Sequence, residues 1–168
     1  VRAAVDDPEV LAIKQTLYRT GRESPILAAL MEAAELGKEV TAVVELKARL
    51  DEESNIYWAR MLEEAGVHVV HGVVGYKAHA KLALIVRREP SGFRSYAHIG
   101  TGNYNPVTAR QYTDIGLFTA REDIVEDVAE IFNAMTSPSA PVKPRSLLAA
   151  PWNLLDSVIA LIRRETEH

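Results

Sequence analysis

The stretch EVTAVVEL, residues 39–46, is apolar at almost every position. A run without the alternation of a half-exposed strand suits a strand covered on both faces, as in a parallel sheet. Its flanks agree. Upstream, Ser24-Pro25 opens a helix, with Ser as N-cap and Pro at the first helical position. Ile26, Leu27, Leu30, Met31 and Ala34 then recur at helical spacing, and Gly37 ends the helix. Downstream, Asp51 caps a second helix that runs to Gly66, with Trp58, Leu62 and Ala65 on one face. LAIKQTLY (11–18) and VHVVHGVV (67–74) read as strands on either side. The order β-α-β-α-β predicts three parallel strands joined by right-handed crossovers.

The pattern then changes. KLALIVRRE and FRSYAHIG flank the short turn EPSG and read as an antiparallel hairpin. TDIGLFTA is a further strand candidate. Thr119 and Glu122 form a capping box for a helix with Ile124, Val128, Ile131 and Phe132 on its inner face. SPSAPVKP, residues 137–144, is linker-like. LLAAP and NLLDSVIALIRRETEH then predict a strand and a helix, the opening of a second unit. The expected fold class is α/β, a mixed sheet with helices on both faces, over residues 1–145, with a new domain beginning in 146–168. The chain starts at Val1 and ends in RRETEH, which reads as a segment of a longer protein.

Composition narrows the partners. The formal net charge is −4, which argues against wholesale electrostatic nucleic-acid binding but leaves room for a local basic pocket. There is no Cys, so disulfides and thiolate metal sites are excluded, and a reducing compartment fits. No apolar run approaches the ~20 residues of a membrane span, and no signal peptide is visible.

Topology then gathers the polar residues. Parallel α/β sheets bind ligands at the carboxyl ends of their strands. Arg19 and Arg49 follow the first two strands, each before a helix start, where backbone N–H groups favour anions. If the next strand runs antiparallel, its beginning lies on the same rim. His79 and Lys81, in GYKAHAK, would stand there, one residue apart and pointing the same way. The hairpin returns to the rim at GTGNYN, bringing Asn103. Alone, each piece has a plainer reading. HxK can be a solvated strand edge, the arginines can pair with Glu45, Asp51 and Glu52, and GTGN can be a tight turn. His68 and His71 read as ordinary strand residues, His98 as packing, and Tyr112 as a packing residue near the rim. Together, two guanidiniums, an ammonium, an imidazole and a Gly-rich loop suit phosphate oxygens.

The segments IKQTLYRT, VVELKARLDEESNIYWARMLEEAGVHVV, VVGYKAHAKLALIVRRE and YAHIGTGNYNPVTARQYTD closely resemble the polyphosphate kinases, which form inorganic polyphosphate from ATP. The resemblance runs from about residue 8 to residue 168. Such kinases carry two phospholipase-D-like domains near their C-terminus, and this chain resembles the first plus the start of the second. The superfamily pattern HxKx4D…GSxN is partly kept. His79, Lys81 and Asn103 match, GTGN replaces GSxN, and the Asp position falls on Val86. By position, His79 resembles the family's autophosphorylated histidine. Arg19 and Arg49 match arginines at the phosphate and Mg²⁺ site, and Tyr112 matches a tyrosine at the nucleotide. The resemblance implies ATP, ADP and polyphosphate as substrates, Mg²⁺ as cofactor held through phosphate oxygens, and the rest of the kinase chain as partner. It also implies a cytoplasmic location, and leaves open a homo-oligomer and peripheral membrane association of the full-length enzyme. The isolated segment is expected to be inactive alone. The alternatives are a phospholipase-D-like phosphodiesterase or nuclease, which the lost Asp argues against, and a non-catalytic phosphate-binding module.

Overall fold

The computed structural model describes residues 1–19, 21, 24–46, 52–73, 75–137 and 142–167. Its strands are β1 (Val10–Leu17), β2 (Glu39–Val44), β3 (His68–His71), β4 (Lys81–Glu89), β5 (Gly92–Gly100) and β6 (Gly116–Thr119), in one sheet of order β3-β2-β1-β4-β5-β6. The helices are α1 (Arg2–Asp6), α2 (Pro25–Glu35), α3 (Glu52–Glu64), α4 (Glu122–Thr136) and α5 (Leu154–Thr166). The sheet is mixed, as expected. β1, β2 and β3 are parallel, and β4 joins the other side of β1 antiparallel. β4, β5 and β6 then pair antiparallel in turn.

The apolar run of β2 explains the layers. Successive side chains of a strand point to opposite faces. Val40, Ala42 and Val44 join one core with Val5 of α1, Leu27 and Leu30 of α2, and Leu62 of α3. Val43, between them, joins a second core with Leu82 and Leu84 of β4 and with Val128, Ile131 and Phe132 of α4. A strand with apolar side chains on both faces needs cover on both, and the sheet is covered on both.

Four details depart from the sequence reading. The short helix α1 was not anticipated. Ser24 is the N-cap of α2, with Pro25 first in the helix, but its hydroxyl makes no capping hydrogen bond. At α4 the N-cap is Arg121, and Thr119 Oγ1 accepts from the Arg121 N–H at 3.1 Å. Thr119 and Arg121 therefore form an ST-type turn before the helix, in place of the reciprocal capping box expected of Thr119 and Glu122. LLAAP is not a strand. Its backbone is satisfied by side chains, so it has no need of a sheet edge. The Asp127 carboxylate accepts N–H groups from Arg145 (3.0 Å), Ser146 (2.7 Å) and Leu147 (2.8 Å). Asn153 accepts from the Ala149 N–H at 2.7 Å and donates to the carbonyls of Pro144 and Leu147. The helix α5 follows as expected, and none of its residues is buried. Asp51 and residues 138–141 of the linker-like segment lie outside the described residues.

Asp127 is wholly buried on α4. Burial would raise its pKa, but the N–H groups of Arg145, Leu147 and Ser146 outweigh it, and the net direction is down. Its stabilising contribution is therefore complete above the ordinary carboxylate range near ~4 and is lost as pH falls through the lower folded value. Asp127→Asn puts an amide donor among three N–H groups. It should cost about 1–3 kcal/mol, the range for a buried group left unsatisfied. Urea unfolding of the variant and wild type at pH 7 and at pH 3 measures this, and the difference should shrink at the lower pH.

Candidate functional site

The antiparallel entry of β4 decides where the polar residues meet. The chain leaves β1 on one side to make β2 and returns on the other as β4. Such a switch point opens a crevice at the carboxyl end of β1. Tyr18 and Arg19 leave β1 there, and Lys81 begins β4 there. In the β4–β5 ladder Lys81 pairs with Gly100, the first residue of GTGN. Three expectations are thereby met in space: Arg19, His79 and Lys81 come from different elements to one rim.

Lys81 is 5% exposed, and His79 is exposed. Lys81 Nζ donates to the His79 carbonyl at 2.6 Å and lies 3.1 Å from both His79 ring nitrogens. The in-plane bonding directions of the two ring nitrogens diverge, and only one of them carries a lone pair in the neutral ring, so an ammonium equidistant from both rests against the ring and on neither bonding axis. The Tyr18 ring joins these groups. It meets His79 edge-on at 4.8 Å between centroids, with Lys81 Nζ 5.3 Å and the Arg19 guanidinium carbon 5.7 Å from its centre. These distances suit cation–π contact.

The charges disfavour a further proton. Desolvation, then the cations Lys81, Arg19 and Lys77, hold His79 below its ordinary value near 6.5. Lys81 is also lowered, chiefly by burial and next by Arg19, with Asp114 acting in the opposite sense. The imidazole is thus kept neutral near pH 7, as a nucleophile must be.

The Gly-rich loop lies beside this pair. Asp114 Oδ1 accepts from Thr101 Oγ1 at 3.0 Å, and Thr101 Oγ1 accepts from the Ile115 N–H at 3.0 Å. A Cβ at Gly102 would overlap the Asp114 carboxylate, which is why glycine stands there. Asn103 is in this loop, with its carboxamide oxygen buried and unpartnered among the described residues. No hydrogen bond joins its side chain to His79 or Lys81. Tyr112 is exposed, 69%, on the turn after a short 3-10 segment at Thr108–Arg110. The structure does not bring it against His79. Arg49 lies outside the described residues. His98 behaves as a packing residue, with Nδ1 2.8 Å from the Tyr104 hydroxyl and its ring 4.5 Å from that of Phe118. His71 pairs on the surface with Glu63 at 2.9 Å.

His79 and Lys81 also line a groove of about 570 Å³. Its far wall is Leu147, Ala149, Pro151 and Trp152, the segment that Asp127 and Asn153 hold. Among the described residues no group of three or more His, Asp or Glu side chains could hold a metal ion. A cationic cluster with one carboxylate fits phosphate oxygens, and fits Mg²⁺ only as a companion of those oxygens.

The family model for polyphosphate kinase C-terminal domain 1 matches residues 1–141. The chain belongs to the polyphosphate kinase family. It is 55% identical over 168 residues to a polyphosphate kinase of Parasynechococcus marenigrum, covering 100% of this chain and 24% of that protein. It is 57% identical over 165 residues to a polyphosphate kinase of Mycolicibacterium gilvum, covering 98% of this chain and 23% of that protein. The solved structure of the polyphosphate kinase from Porphyromonas gingivalis superposes with a TM-score of 0.86 at 40% identity, over 99% of this chain and 28% of that one. The fold is thus the phospholipase-D-like α/β fold that the resemblance implied. The chain spans about a quarter of the length of these curated relatives. No helix among the described residues is long and apolar enough to cross a membrane.

Against this family background, sequence reasoning overlooked Tyr18, Thr16 and Asp114. It weighed Glu45 only as an ion partner for the arginines. The usable signal was position: Thr16 lies at the end of β1, Tyr18 just follows it, and Glu45 follows β2, at the same rim. Because cations depress His79, Lys81→Met should raise its pKa toward the ordinary value near ~6.5. NMR titration of the His79 ring in both proteins measures this. An unchanged midpoint would show that Lys81 does not act on the ring.

Proposed function

We propose that this chain carries the phosphoryl-transfer nucleophile of a polyphosphate kinase, and that His79 is that nucleophile. The observation that carries the reading is the buried Lys81 ammonium against the exposed His79 ring, 3.1 Å from both nitrogens. Neutral His79 attacks the terminal phosphorus of ATP. An N–P bond forms, the P–O bond to ADP breaks, and ADP leaves. A terminal oxygen of polyphosphate then attacks the phosphohistidine, the N–P bond breaks, and the polymer is one unit longer. Each step is reversible, so polyphosphate and ADP would return ATP. Lys81 and Arg19, with Arg49, neutralise charge on the transferring group, which is most of what such a reaction asks of a protein. Asn103 is assigned to orienting phosphate oxygens, and Tyr112 to the nucleotide. Mg²⁺, when bound through the phosphates at Arg19 and Arg49, would supply further charge neutralisation.

The domain division belongs to the same reading. Residues 1–145 form the first phospholipase-D-like domain and 146–168 begin the second. The phosphodiesterase alternative is weaker, because Val86 occupies the pattern's Asp position, inside β4 opposite Ala12 and Ser95.

In a full-length polyphosphate kinase carrying this segment, His79→Ala should abolish both polyphosphate synthesis and acid-labile label from γ-labelled ATP. Labelling that persists would move the phosphohistidine elsewhere. A second expectation concerns the 168-residue chain by itself. His79 is exposed at an open groove, and an open site admits water and screens charge. The chain should bind short polyphosphate weakly and make none from ATP. Calorimetry and a polyphosphate assay test the two parts, and sustained synthesis would overturn this half-site reading.

A further inference from the structure

The residues on either side of His79 and Lys81 are held by two buried side chains from neighbouring strands. Thr16, 2% exposed at the end of β1, donates from Oγ1 to the Ala80 carbonyl at 2.7 Å and accepts from the Leu82 N–H at 2.9 Å. Those two backbone groups flank Lys81. Glu45, 3% exposed just past β2, accepts the Ala78 N–H on Oε2 at 2.9 Å. That group immediately precedes His79. On the β1 side ordinary pairing does not reach here, because the β1–β4 register ends at Gln15 opposite Ala83, although β5 pairs with Lys81 and Leu82 on the other side. Side chains take over where the ladder stops.

A second tie fixes Glu45 and Tyr18 relative to one another. Asn55 of α3, 1% exposed, donates from Nδ2 to the Tyr18 carbonyl at 2.8 Å and to the Glu45 carbonyl at 2.9 Å. The ends of β1 and β2 thus become one rigid base.

We propose that Thr16 and Glu45 are positioning residues for the phosphoryl transfer, clasping residues 78–82 so that the His79 ring and the Lys81 ammonium face one reacting phosphate. The inference rests on the reading of His79 as nucleophile. Neither side chain touches the reacting atoms. Their effect runs through the backbone to two groups that must hold a fixed relation, and misplacement by about 1 Å can cost on the order of a hundredfold in rate.

The test uses a full-length polyphosphate kinase carrying this segment. Thr16→Val keeps the shape and strand preference but removes the hydroxyl, whereas Thr16→Ser keeps it. Thr16→Val should lower kcat and the rate of His79 labelling by roughly tenfold or more with little change in KM for ATP, because the loss falls on alignment rather than on binding. Thr16→Ser should recover most of that loss. Glu45→Leu should show the same split between kcat and KM. Independently of turnover, NMR titration should show the His79 midpoint moving upward in Thr16→Val as the ring loses its fixed place beside Lys81. Wild-type kcat and an unmoved midpoint in Thr16→Val would overturn the proposal, as would a Thr16→Ser variant as impaired as Thr16→Val. If instead His79→Ala is still labelled, the nucleophile assignment fails, and the titration of Thr16→Val still judges whether the clasp exists.

Discussion

The arrangement rests on the antiparallel pairing of β4 with β1. A parallel strand there would begin at the opposite end of the sheet, and Lys81 would lie the length of a strand away from Arg19. By running antiparallel, β4 starts at the rim where β1, β2 and β3 finish. The β4–β5 hairpin then returns the chain to that rim at Gly100. Five strand ends reach one edge; Lys81 stands on β4 itself, and Arg19 and His79 each lie two residues from a strand end. Strand ends are stiffer supports than loops, which suits a site whose task is alignment and charge placement.

Much of this was legible in the sequence, and the failures are instructive. The β-α-β-α-β unit was readable because EVTAVVEL cannot be a half-exposed strand, and because glycines close both helices. Gly37 and Gly66 have φ of +83° and +87°, the left-handed conformation that ends a helix most easily with glycine. LLAAP misled because a short apolar run states only that side chains seek cover, not that the backbone seeks a ladder. Asp127 and Asn153 answer the backbone instead. Thr119 misled because a capping box is a pattern of spacing, and the hydroxyl found a nearer N–H at Arg121. Within the site, His79 and Lys81 were visible as a motif. Tyr18, Thr16 and Glu45 were not, since their importance lies in which strand end neighbours which, and Asp114 is set by its closeness to Gly102.

The electrostatics of the rim run against the chain as a whole. The formal net charge is −4, yet His79 feels Lys81, Arg19 and Lys77. Local sign is what a phosphate meets at short range, because solvent and salt screen the distant carboxylates within about 10 Å. Asp114, the carboxylate that acts on Lys81, tempers the cluster without cancelling it. Glu45 is buried and bound to the Ala78 N–H, and so does not offer its charge at the surface.

Asp127 has a consequence for how the chain tolerates change. It fixes Arg145, Ser146 and Leu147 by direct hydrogen bonds from α4, so the far wall of the groove takes its place from the helix rather than from the chain leading up to it. The spacing of that wall is thus written into α4, in a side chain that the interior keeps from solvent. Substitutions on the exposed side of α4 that spare Asp127 should therefore leave the walls beside His79 at their spacing.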